Sequence, residues 1–202
     1  MRSELIIATY NKPDHLRVVL NSLSFQTVMP DKICFADDGS DARTHELIKN
    51  FELKQNKVSM RHKWHPDKGF RKNLILNKCI KSSDADYLIF IDDDCIMHPI
   101  FIERHLALAK YGSFLSGSVI RLNAKYSEYI LENGILKWNS KFNPLGWKPA
   151  SISEKLKSMP ARPDIMRVFD NLLPINCAWS GGNASTFREH IMFVNGLNTK
   201  LK

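Results

Sequence analysis

With 202 residues, 44% of them hydrophobic and 25% charged, the chain has the makeup of a soluble globular protein with one substantial core. No run approaches the roughly 18–20 apolar residues that cross a bilayer, and the N-terminal "MRSELIIATYNKPD" turns polar too early for a secretory signal, so a cytosolic protein is expected. A net charge of +8 and an isoelectric point near 9.3 point to an anionic partner; the lysines are dispersed and no nucleic-acid motif is present, which argues against DNA or RNA.

In chain order, "ELIIAT" predicts a strand and "YNKPD" a turn, and Leu16, Val19, Leu20 and Leu23 then fall at helical spacing. "KICFADDGS" repeats the pattern of a short apolar strand entering acidic turn chemistry, and "ARTHELIKNFELK" predicts the second helix. "KVSMRHKW" reads as a third strand, "KGFRKNLILNKCIKSS" as a helix and "DYLIFID" as the next strand. "PIFIERHLALAKY" then predicts a helix, "SFLSGSVIRL" a strand, and a helix is expected to start at Ser185 or Thr186. Strands alternating with helices in this way predict an α/β fold with a mainly parallel sheet. Residues 123–173 are less regular and rich in Asn, Lys, Ser and Pro. Cys34, Cys79, Cys95 and Cys177 form no CxxC pair and read as reduced structural thiols.

Ligands of open parallel sheets lie beyond the carboxyl ends of the strands. Three polar segments are delivered there: "TYN", "DDGS" and "DDD". Adjacent Asp92, Asp93 and Asp94 repel one another at the end of an apolar strand, so they must protonate, turn apart or gather a cation. Alternation in an extended chain would put Asp92 and Asp94 on one side, where they suit Mg2+ or Mn2+, and turn Asp93 to solvent. His65 and His98 flank these segments without metal-ligand spacing. The glycines of "WSGGNAS" either make a turn or let backbone approach a sugar, and Trp179 either fills the core or meets that sugar. Trp138 and Trp147 suit packing or sugar stacking, and the basic stretch "SEKLKSMPARPDIMRVF" suits a solvated face better than an anionic lipid surface.

Taken together, "TYNK", "DDGS", "DKGFRKN", "YLIFIDDDC" followed by "HPIFIERH", and the late "WSGGNASTFRE" resemble the family 2 glycosyltransferases of GT-A fold, in the branch with a galactosyltransferase-like C-terminal segment. The resemblance implies a nucleotide-sugar-binding core over residues 1–122 and a smaller irregular acceptor-side region over 123–202. It implies that Thr9 and Asn11 cradle the nucleoside, Asp38 accepts a hydrogen bond from the base, Arg71 contacts base or pyrophosphate, and Asp92 holds ribose or metal. Asp94 would ligate Mn2+ or Mg2+, and Trp179, Gly181, Gly182 and Asn183 would lie on the acceptor or sugar side. The implied reaction is inverting transfer from a nucleotide-diphosphate sugar, UDP-linked by preference, to a glycan or lipid-linked acceptor. Its implied setting is surface-polysaccharide or lipopolysaccharide assembly at the inner face of the membrane, with peripheral membrane association.

The branch carries its general base in a Trp-Gly-x-Glu-Asp segment after the asparagine-glycine turn. Here "NGLNTKLK" places Asn198 where an aspartate is common, so the base is expected beyond Lys202 and the chain is expected to be truncated. Loss of a general base lowers rate by about a hundred- to ten-thousandfold. The alternatives are therefore a binding-only nucleotide-sugar domain and, from other classes, a nucleotidyltransferase, for which "TYNKPD" lacks the glycine-rich phosphate loop, or a basic nucleic-acid-binding module.

Overall fold

Every residue of β1 (Ser3–Thr9) is buried, as a central strand must be when helices cover both faces of its sheet. The computed structural model describes residues 1–55, 58–134 and 178–200. The elements that follow are α1 (Pro13–Leu23), β2 (Lys32–Asp37), α2 (Ala42–Lys54), β3 (Ser59–Trp64), α3 (Lys72–Lys81) and β4 (Tyr87–Asp92). After these come α4 (Phe101–Ala107), β5 (Phe114–Ser116), α5 (Ala124–Asn133), β6 (Asn183–Phe187) and α6 (Arg188–Phe193).

The strands form one six-stranded sheet in the order β3-β2-β1-β4-β6-β5. β3, β2, β1 and β4 run parallel, and β6 is antiparallel to both β4 and β5. The predicted α/β class and mainly parallel sheet are therefore present, and β6, from beyond residue 122, lies inside the same sheet.

Period-two alternation divides the core into two layers. Leu5, Ile7, Ile33, Phe35, Ile89 and Ile91 pack with Leu16, Val19, Ile48 and Ile102 on one face. Ile6, Ala8, Cys34, Ala36, Leu88 and Phe90 pack with Ile75, Leu76, Cys79 and Ile80 of α3 on the other. Fully burying one such side chain contributes about 1.5–3 kcal/mol. α1 begins on Pro13, whose missing N–H is no loss in a first turn, and Asp41 caps α2 by accepting from Thr44 N at 3.3 Å.

Three expectations are corrected. Residues 183–187 form a strand, and the helix expected from Ser185 or Thr186 starts only at Arg188. Pairing with β4 and β5 on both sides overrides the local helix signal. Of the strand expected over 113–122, only Phe114–Ser116 forms: Gly117 N still bonds to Asn183 O at 2.8 Å, but the Ser118 carbonyl is taken by the Asn183 side chain. Within the region expected to be irregular, Asn123 caps α5 by accepting from Tyr126 N at 2.9 Å. Cys177, Trp138, Trp147 and the rest of residues 135–177 lie outside the described residues.

A directional polar chain pins β6. His105 Nε2 lies 3.0 Å from Asn183 Oδ1, and the Asn183 amide nitrogen donates to Ser118 O at 3.2 Å, so Nε2 carries the imidazole proton. Nδ1 must then accept from the Ser185 hydroxyl at 2.7 Å, and Ser185 in turn accepts from Tyr87 OH at 2.7 Å. Burial pushes His105 down to about 4, outweighing the opposing hydrogen bond to Asn183, and burial likewise pushes His98 to about 4. Because the unfolded rings take up protons near 6.5 and the folded ones only near 4, this stability is complete above about 6.5 and is lost as pH falls toward 4. Urea unfolding at about pH 5 is expected to show a lower midpoint than at about pH 7.5, with a smaller difference in His105→Gln; identical pH dependence in that variant would contradict the assignment.

Candidate functional site

β1, β2 and β4 end at one edge of the sheet, and the parallel register sets Ala8 opposite Asp92 and Thr9 opposite Asp37. The predicted "TYN", "DDGS" and "DDD" segments therefore converge there.

The strand ends at Asp92, and the chain turns before the alternation expected of an extended segment can continue. As a result Asp93 faces inward, contrary to the expectation that it meets solvent. Its Oδ2 accepts from the Thr9 hydroxyl at 2.8 Å and from Tyr10 N at 3.1 Å, while Asp93 N donates to Ala8 O at 3.0 Å. Burial raises the Asp93 carboxyl above its ordinary range, with these hydrogen bonds and Lys12 only partly offsetting it. Thr9, expected at the nucleoside, is thus buried with its hydroxyl bound to Asp93.

With Asp93 acting as the joint, Asp92 and Asp94 stand on either side of it, partly exposed. Each is met by a lysine that sequence reasoning did not single out. Lys72 Nζ lies 2.5 Å from Asp92 Oδ1, and Lys12 Nζ lies 2.9 Å from Asp94 Oδ2. Both lysines sit in quoted motifs, "TYNK" and "DKGFRKN", where a cation on a loop or helix start at the strand ends was the available signal. Burial works to raise the Asp94 carboxyl, but the Lys12 hydrogen bond and charge prevail and hold it low; the same hydrogen bond raises Lys12.

The DDGS turn is built from its own carboxylates. Asp37 Oδ1 accepts from Gly39 N at 3.2 Å and Ser40 N at 2.7 Å. Asn11, at φ 50°, donates from its backbone N to Ser40 Oγ at 3.0 Å and accepts at Oδ1 from Asp41 N at 2.8 Å, which ties the first loop to the second. Gly39 has φ +103°, and a Cβ there would meet Asp67 backbone atoms at 2.6 Å. Gly39→Ala is expected to destabilise by at least roughly 1–3 kcal/mol, read as a lowered urea midpoint; an unchanged midpoint would show that the loop relaxes freely.

Asp38 is buried and already holds two partners: His65 Nε2 at 2.6 Å on Oδ1 and Arg71 N at 2.7 Å on Oδ2. A carboxylate offers about four lone-pair positions, so each oxygen keeps one more. His65 Nδ1 faces Lys78 Nζ at 3.4 Å, which sets the ring to donate from Nε2 to Asp38. The Arg71 guanidinium donates to Pro66 O, and its Nε is buried without a partner.

On the acceptor side, Gly182 comes close to the carboxylates. A Cβ there would lie 3.1 Å from Asp92 Oδ2, whereas one at Gly181 would meet nothing within 4 Å. Trp179 packs against Phe90 and Phe114 with ring centroids 5.3 and 5.7 Å away, at the edge of the core. Asn183 has its amide engaged by His105 and Ser118. No helix among the described residues is long and apolar enough to cross a membrane.

Known proteins are similar to this chain. Protein CgeD of Bacillus subtilis (strain 168) is 29% identical over 104 residues, 50% of this chain and 24% of its own length. Hyaluronan synthase of Pasteurella multocida is 27% identical over 104 residues, 51% of this chain and 10% of its own. The chain thus spans about a quarter or less of the length of these curated relatives. The structure of the mannosyltransferase PcManGT from Pyrobaculum calidifontis, in complex with GDP-Man and Mn2+, superposes with a TM-score of 0.65 over 99% of this chain and 48% of that one, at 14% identity. That likeness shows the GT-A fold. The Glycosyl transferase family 2 pattern matches residues 4–173 in one continuous stretch. Since that stretch takes in β1, the DDGS turn, α3 and the three-aspartate corner, the chain belongs to glycosyl transferase family 2.

Proposed function

We propose that the chain binds a nucleotide-diphosphate sugar, UDP-linked by preference, at the strand ends and serves inverting sugar transfer to a glycan or lipid-linked acceptor in surface-polysaccharide assembly. The observation that carries this reading is the corner where Asp92 and Asp94 are held apart by the inward-turned Asp93, each facing a lysine ammonium.

The donor set fits Mn2+ or Mg2+. Two partly exposed carboxylates supply hard oxygen ligands, and both already draw a positive group. When bound, the ion would supply Lewis-acid stabilisation of the departing diphosphate. In this reading Asp92 and Asp94 would hold it, and Lys72 and Lys12, which now pair with those carboxylates, would be available to the phosphates. Thr9 and Tyr10 N keep Asp93 fixed, so the corner does not spread as charge is exchanged. Asp38, with its spare acceptor positions, meets a ring N–H of the base, and Arg71, beside it, meets base or pyrophosphate. Asn11 orders the first loop against the second. Gly182 lies next to Asp92, and with Gly181, Trp179 and Asn183 it would serve the acceptor or sugar side. Residues 1–122 form the donor core and 123–202 the acceptor side.

The test is thermal stabilisation by a panel of UDP- and GDP-sugars, with and without Mn2+. A ligand at 100 times its Kd adds about 2.7 kcal/mol, a rise of roughly 5–10 °C for a chain of this size. A UDP-sugar with Mn2+ is expected to give that rise. A panel without any shift would overturn the proposal, and a shift with GDP-sugars alone would overturn the UDP preference.

A further inference from the structure

Asp37 carries a second constellation that the donor site leaves unused. While its Oδ1 closes the DDGS turn, its Oδ2 faces His62 Nε2 at 2.9 Å and His45 Nε2 at 3.4 Å. The rings come from different elements, His45 from the first turn of α2 and His62 from β3. They stand edge to face with centroids 4.9 Å apart at 90°. Trp64 closes the third side, 5.5 Å from His45 and anchored by Nε1 donating to Ser40 O at 3.2 Å.

The carboxylate is fully buried, whereas the His62 and His45 side chains are 21% and 41% exposed beside the edge strand β3, so the two rings border solvent. His45 Nε2 itself is sealed from water and makes no well-formed hydrogen bond. A ring with one edge in solvent thus turns its inward nitrogen toward a carboxylate oxygen already taken by His62. An orphaned buried nitrogen of this kind calls for an explanation.

We infer that Asp37, His45 and His62 form a binding site for a divalent transition-metal ion of the zinc type, separate from the Asp92 and Asp94 corner two strands away. The three donor atoms lie within 4.8 Å of one another. Around an ion with bonds of about 2.0–2.1 Å, tetrahedral donors sit roughly 3.4 Å apart, and the two Asp–His separations of 2.9 and 3.4 Å lie near that spacing. Two imidazoles with one carboxylate select Zn2+ and its neighbours over Mg2+, and three protein ligands leave a fourth position for water. Coordination needs no net change of protonation in neutral rings. In each neutral ring the proton then sits on Nδ1, and the Nε2 lone pair takes the ion. An ion there would tie the end of β2, the start of α2 and the edge strand together, stiffening the turn that presents Asp38.

The test is calorimetric titration of the untagged, chelator-treated full chain with ZnCl2 and, separately, MgCl2. A zinc site is expected for the wild type, and any magnesium heat, which belongs to the Asp92 and Asp94 corner, is expected to be the same in the wild type and in the His45 and His62 variants. Affinity is expected to fall at least tenfold in His45→Gln and in His62→Gln, with the site absent from the double variant. Equal zinc affinity in the double variant, or no zinc binding by the wild type, would overturn the proposal. X-ray absorption at the zinc edge of the loaded wild type, which needs no variant to fold, is expected to show imidazole and oxygen ligands only; sulfur ligation would place the ion on the cysteines and overturn it too.

Discussion

Asp94→Asn is expected to remove Mn2+-dependent nucleotide binding and to lower sugar transfer by about two to three orders of magnitude, the size of several kcal/mol of lost metal assistance. The asparagine keeps the shape of the side chain and removes one of only two anionic donors. Lys12 loses its partner as well, yet that pair is solvent-exposed on both sides, 48% and 45%, and such pairs contribute under about 1 kcal/mol. The melting temperature without ligand should therefore barely move while binding is lost. Asp93→Asn should behave in the opposite way, because its carboxylate serves the Thr9 hydroxyl and Tyr10 N inside the corner. Calorimetry of UDP with Mn2+ separates the two. Unchanged UDP affinity in Asp94→Asn would end the metal role assigned to that residue.

Glu4→Ala is expected to cost about 3–5 kcal/mol, the usual penalty for removing one partner of a buried ion pair. Glu4 has no exposed side-chain surface, and it lies on the same face of β1 as Ile6 and Ala8, beneath α3. Arg61 meets it through two bonds, Nε to Oε1 at 2.6 Å and Nη2 to Oε2 at 2.8 Å, and Ser83 Oγ adds a third at 2.5 Å. The same guanidinium reaches Cys79 O at 2.8 Å and Ser82 Oγ at 2.5 Å, so it joins β1, β3 and the end of α3. Deleting the carboxylate leaves a half-buried cation held only by neutral acceptors. Against a total stability of about 5–15 kcal/mol, that loss is a large fraction. Urea unfolding should show the midpoint falling at constant slope. A change below about 1 kcal/mol would mean that Arg61 escapes to water when its partner is removed.

The hydrophobic period carried most of the fold. "ELIIAT", "KICFAD" and "YLIFID" are apolar at nearly every position because both of their faces are covered, and that pattern allows little besides a parallel strand between helices. α2 spans the predicted "ARTHELIKNFELK", since Asp41 supplies a local cap at its start. The carboxylates of the site were legible for a related reason: polar groups that follow a buried strand can only emerge at the sheet's carboxyl edge.

What depended on contacts between distant residues was not legible. "NASTF" carries helix-starting chemistry in isolation, and only antiparallel pairing with β4 and β5 makes it a strand. The orientation of Asp93 could not be read from alternation, because it rests on Thr9 and Tyr10, more than 80 residues away, at the point where the strand ends. Lys12 and Lys72 became partners of Asp94 and Asp92 in the same way, through juxtaposed loops, as did His45 and His62 around Asp37. By itself, then, the sequence determined the elements, the parallel core and the residue types at the strand ends, because local spacing and burial specify those. The tertiary structure alone decided which carboxylate is buried, which lysine neutralises which acid, and how closely Gly182 approaches Asp92, because charge pairing and close approach act between loops that only the closed sheet brings together.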